Sequence, residues 1–70
     1  MECFIEVSHL NGSWRLAVEG CQPMLYLSGG RAEMDARRLA GRLAEGGCSS
    51  RVHVHDKQNL LIGDHCYFAC

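Results

Sequence analysis

His53 and His55 stand two apart in the run Arg51-Val52-His53-Val54-His55, and in a β-strand that spacing puts both imidazoles on one face. Such a pair can offer nitrogen ligands to a metal ion, with His65, Asp56, Cys48 or Cys66 completing a tetrahedral set. Beside Arg51 and Asp56 the same histidines also read as ordinary surface hydrogen-bonding groups. A nucleophilic cysteine with a histidine base is the enzymatic option, because Cys66 directly follows His65. Neighbouring strand residues point to opposite faces, which opposes that pairing, and no third group is visible to orient the base. Seventy residues leave little room for a substrate pocket, so the sequence points to a non-enzymatic protein with no cofactor and no small-molecule substrate.

The cysteines limit the other chemistries. There are five, at Cys3, Cys21, Cys48, Cys66 and Cys70, an odd number without any C-x-x-C pair. Neither a disulfide scaffold nor a standard zinc module is expected, and the thiols read as small buried hydrophobes or as part of an incidental tail. A reducing cytoplasm fits, since the opening Met1-Glu2-Cys3-Phe4-Ile5 has no secretory pattern and no stretch approaches a membrane span. Seven basic against eight acidic residues give a net charge of -1, which disfavours general nucleic-acid binding. Arg31, Arg37, Arg38 and Arg42 can still form a local basic patch, weakened by acids on the same helix.

These groups need elements to hold them, and the strongest is a helix over residues 28–47. Ala32, Ala36, Leu39, Ala40 and Leu43 line one face of a 3.6-residue period. An alanine stripe permits close approach to a flat sheet. The opposite face carries charges spaced for pairing, Glu33 with Arg37, Asp35 with Arg38 and Arg42 with Glu45. Ser28 or Gly30 is placed to cap the start with Glu33 near the positive end of the dipole, and Gly46-Gly47 supplies the exit. Gly41 is tolerated inside the pattern at a cost of ~1 kcal/mol relative to Ala. The double glycine before the helix lacks the spacing and the lysine of a phosphate loop.

Before the helix, Asn11-Gly12 is a two-residue hairpin signal flanked by alternating segments. Pairing Leu10 with Ser13 places His9 opposite Trp14, Val7 opposite Leu16 and Ile5 opposite Val18, all toward the core. Met24 to Leu27 reads as a short third strand after Pro23. Past the helix, Val52 and Val54 point inward while Arg51, His53 and His55 share the outward face. Asn59 suits a left-handed turn position. Leu60-Leu61-Ile62 begins a last strand that Gly63-Asp64 interrupts, so residues 63–70 read as a bulged continuation or an irregular tail. The expectation is one α+β domain over residues 1–70. It is a two-layer sandwich of a mainly antiparallel four- to five-stranded sheet, in chain order β-β-β-α-β-β, with one helix across one face.

Trp14-Arg15-Leu16-Ala17-Val18-Glu19-Gly20, the helical register from Ala32 to Leu43 and Val52-His53-Val54-His55-Asp56-Lys57-Gln58-Asn59 together resemble a family of small bacterial proteins catalogued as a domain of unknown function. The resemblance implies a β-hairpin, a helix and a second hairpin, and carries no activity. Members show Thr or Ser followed by Glu-Ala at the helix start and Gly in the last turn. Here Ser28 is followed by Gly29-Gly30-Arg31-Ala32-Glu33, and Asn59 replaces that Gly.

One sheet face has no second layer in this chain, and sheet edges must be paired or blocked. The expected role is therefore a protein-binding or self-associating module with a protein partner or a homodimer, no nucleic acid and no membrane. Arg31, Arg38, Arg42, Arg51, His53 and His55 are its candidate contact residues. The alternatives are a phage or mobile-element inhibitor of a host defence complex, and a metal-binding protein using His53 and His55.

Overall fold

A computed structural model describes residues 2–69. Six elements follow in order: β1 (Glu2–Leu10), β2 (Ser13–Val18), β3 (Met24–Tyr26), α1 (Gly29–Glu45), β4 (Ser49–His55) and β5 (Leu61–Tyr67). The five strands form one sheet in the order β3-β2-β1-β4-β5, and α1 packs on one face as a two-layer α+β sandwich.

The β1-β2 hairpin has the register expected from its turn, with Leu10 opposite Ser13, Val7 opposite Leu16 and Ile5 opposite Val18. Asn11 and Gly12 both take positive φ, at 49° and 80°, the geometry of a turn that matches strand twist. β3 adds antiparallel to β2, so it runs in the same direction as β1. A helical crossover returns the chain parallel to the strand it left, and α1 delivers β4 parallel to β1. The sheet is thus mixed, with one parallel pair at its centre and three antiparallel pairs around it. Because the crossover starts at β3 and ends beyond β1, α1 has to lie over the hairpin.

That path explains the core. Ile5, Val7, Leu16, Ala32, Ala36, Ala40, Val52 and Val54 form one buried cluster, with Trp14, Val18, Tyr26, Leu39, Leu43 and Tyr67 packed at its margin. The buried helix row is Ala32, Ala36, Ala40 and Ala44, and Leu39 and Leu43, expected on the same face, flank it partly buried. Four alanines let the helix axis approach the sheet but bury little apolar area each. Gly29 serves the same approach, because a Cβ there would lie 2.8 Å from the Trp14 indole.

Ser28 is the N-cap and accepts from the Arg31 N-H at 3.3 Å. Glu33 lies beyond the first turn, which contains no acid, so the expected dipole contact is absent. Glu33 does reach Arg37 at 4.0 Å as spaced, whereas Asp35 bonds Tyr26 on β3. The exit is a Schellman motif: Gly47 at φ 95° donates to Ala44 O, and Cys48 N-H donates to Leu43 O at 2.8 Å. Asn59 takes the left-handed conformation, φ 65°, in a turn where Asp56 accepts from the N-H groups of Gln58 and Leu60.

Of the two readings open for the C-terminal stretch, the bulged continuation is the one the structure shows. Gly63-Asp64 does not interrupt the last strand, and β5 continues through Tyr67. One extra residue, Ile62, is accommodated between the pairs Val54-Gly63 and His55-Leu61, so the bulge sits beside Gly63. Cross-strand partners hold residues that local propensity alone leaves undecided. Tyr67 returns to the core margin opposite Ser50, and Ala69 N-H donates to Ser49 Oγ at 2.9 Å.

Candidate functional site

The three histidines proposed as metal ligands are not brought together. His53 pairs opposite Asp64 on the face away from α1, with Nε2 3.5 Å from Asp64 Oδ1. His65 pairs opposite Val52, which is in the core, so it lies on the helix side, where its Nε2 accepts from Arg37 Nη2 at 3.0 Å. His55 turns its Nδ1 to the Val7 carbonyl at 3.2 Å, which ties β4 back to β1 where the bulge alters the ladder. Among the described residues no group of three His, Cys, Asp or Glu side chains converges. The i,i+2 spacing was right for a strand, but the sheet itself stands between His53 and His65. Cys66 and His65 also point to opposite faces, which separates that nucleophile from that base.

The candidate contact residues divide in the same way. Arg31, Arg38 and Arg42 belong to α1, whereas Arg51 and His53 lie on the reverse face of the sheet. They cannot form one surface. The reverse face is charged and not the apolar layer that a second sheet or helix would cover. Across it run Phe4, Glu6, Ser8, Arg15, Ala17 and Glu19, which with Cys21, Pro23 and Val18 line an open groove of about 430 Å³. Arg15 Nε is buried there without a hydrogen-bond partner. At the other end of this face, Arg51 Nε lies 3.3 Å from Cys66 Sγ and 3.5 Å from Asp64 Oδ1. The hydrogen bond to Cys66, with its charge and that of Asp64, holds the Arg51 guanidinium protonated above its ordinary range. These pairs are half-exposed, so solvent screens them and they add little to stability.

Apolar surface collects elsewhere. Leu60, Leu61 and Ile62 are 63, 53 and 65% exposed in sequence, where the chain enters the outer strand β5. Leu25, Leu27 and Met34 form a second patch around an open depression of about 540 Å³ at the start of α1, rimmed by Arg31 and Asp35. The two sheet edges differ. β3 has three residues and follows Pro23, so it offers few backbone groups. β5 has seven, with no Lys, Arg or Pro and one acid, Asp64. Sequence reasoning left this segment open between a bulged strand and an irregular tail, and so did not single out its edge.

A cysteine pair was also missed. Cys3 Sγ and Cys48 Sγ lie 2.9 Å apart, both half-buried, where the parallel strands β1 and β4 begin at the same end of the sheet. The hydrogen bond to Cys48 is the main cause that raises the Cys3 thiol above its ordinary range, with burial and the charges of Cys48 and Glu19 adding to it. The residues are 45 apart in sequence, and only the parallel pairing reveals them as neighbours.

Comparison with protein families, with curated proteins and with solved structures finds no match. Among the described residues no helix is long and apolar enough to cross a membrane.

Proposed function

We propose that the chain is a small non-enzymatic interaction module that associates through the outer edge of β5, and that its partner there is β5 of a second copy. The supporting observation is a seven-residue edge strand without Lys, Arg or Pro, whose start carries the consecutive exposed apolar residues Leu60, Leu61 and Ile62. An edge strand presents unpaired N-H and C=O groups, and another extended strand satisfies them better than water-exposed side chains do. Folded proteins blunt such edges with Lys, Pro, charge, bulges or shortness; β3 is short and follows Pro23, whereas β5 is long and has only the bulge at Ile62 and the acid Asp64.

A second copy suits this edge for two reasons. Pairing β5 with β5 is isologous and closes at two chains, whereas pairing the long edge with short β3 would be heterologous and open-ended. The monomer core also rests on four alanines, and a chain of 70 residues gains from burying further apolar surface by association. A reducing cytoplasm is the proposed setting, with thiols available and no nucleic-acid or membrane partner.

Light scattering of the purified chain tests this reading. The expected mass is twice 7.8 kDa at micromolar concentration, falling to the monomer in Ile62→Lys with the circular dichroism of the fold retained. A wild-type monomer at all concentrations, or a dimer indifferent to Ile62→Lys, overturns it.

A further inference from the structure

The parallel pairing of β1 with β4 brings together two thiols, Cys3 and Cys48. Cys3 shares the core-facing side of β1 with Ile5 and Val7, and its ladder partner is Ser50 on β4. Cys48 stands two residues before Ser50, and alternation gives it the same side of the sheet. Its backbone is fixed by the Schellman hydrogen bond to Leu43 O. Cys3 is held in the central strand β1, and Cys48 is the last residue of the short α1-β4 connection, immediately before β4. Their separation of 2.9 Å is closer than ordinary sulfur contact, and a covalent bond requires a further approach of roughly 0.9 Å.

From this geometry we infer that Cys3 and Cys48 form a thiol-disulfide exchange site, whose substrate is a low-molecular-weight disulfide and whose product is an intramolecular Cys3-Cys48 bond. The first thiolate attacks one sulfur of the small disulfide, forming a mixed disulfide and releasing one small thiol. The second then attacks the protein sulfur of that mixed disulfide and releases the other small thiol. Two electrons pass from the protein to the small disulfide, and the two thiol protons end on the two released thiols. Excess small thiol drives the same steps backward, so the bond is reversible in a reducing compartment.

The bond would tie the start of β1 to the start of β4 and enclose β2, β3 and α1 in one loop. It lies at the end of the sheet where β1 and β4 begin and leaves the β5 edge free, so it is independent of the self-association proposed above. Cys21 and Cys66 are exposed, with Cys66 held by Arg51 on the other face, and they serve as internal controls for random oxidation.

The test is oxidation of the full chain with excess oxidised glutathione, followed by tryptic mapping without reductant. The expected result is a linked pair of peptides, residues 1–15 with residues 43–51, lost on adding dithiothreitol. Oxidation should also raise the melting temperature of the wild type by at least about 10 °C, for a closed loop of roughly 45 residues. Cys3→Ser should show no such rise. If that variant fails to fold, the wild-type peptide map alone decides. Glutathione remaining on Cys3 or Cys48 without the linked peptide, or linkage distributed equally over Cys21 and Cys66, overturns the inference.

Discussion

The indole of Trp14 on β2 lies directly over the backbone of Gly29 at the first turn of α1, so close that the position has no space for a side chain. The same ring meets His9 edge-on, with centroids 5.0 Å apart. Trp14 thereby joins the hairpin tip to the helix start, and the crossover from β3 begins where that contact holds it.

Gly29→Ala should therefore destabilise the fold. A Cβ 2.8 Å from the ring carbon forces either the indole or the helix to move, at a cost of ~1–3 kcal/mol. Thermal unfolding should register a fall of about 4–8 °C for each kcal/mol. An unchanged melting temperature would show that the contact is not constrained.

Gly41→Ala should act in the opposite direction. A Cβ at this mid-helix position meets nothing within 4 Å, so only the helical propensity changes. Urea unfolding should show a gain of roughly 0.4–1 kcal/mol with an unchanged slope.

Tyr26 should give stability a defined alkaline limb. Burial first, then the hydrogen bond to Asp35 and its charge, raise the phenol above its ordinary value of about 10, while Arg31 pulls the other way. The folded chain then holds the proton more tightly than the unfolded one. That contribution is fully present below about pH 10 and is lost as pH rises through the folded value. Tyr26→Phe should flatten this part of the stability profile, and the absorbance of the ionised phenol should appear later in the folded wild type than in urea.

Leu27→Ser should leave association unchanged, although Leu27 is 96% exposed. It lies in the patch at the start of α1, remote in the strand order from β5. Light scattering that shows a monomer in this variant would move the interface from β5 to the β3 side.

Local signals in the sequence carried much of the fold. Asn11-Gly12 set the hairpin register, the alanine period located α1 and its sheet-facing side, and the alternation of Val52 with Val54 placed β4 correctly. What it did not carry was the direction in which β4 joins the sheet. The β1-β4 partnership is a consequence of the helical crossover, and it alone puts Cys3 beside Cys48. The proposed histidine cluster failed for a related reason: spacing along one strand gives a face, but His65 arrives on a second strand whose bulge and register no local pattern specifies. β5 stayed open between a bulged strand and a tail because Gly63 and Asp64 have low strand propensity, and pairing with β4 decides it.

Self-association through β5 is tested most directly by amide hydrogen exchange resolved to residues 61–67 at two protein concentrations. The account predicts that alternate amides of this strand, those pointing away from β4, become protected as concentration rises, while β3 amides stay unchanged. Rapid exchange of the outward amides of β5 at every concentration would contradict it.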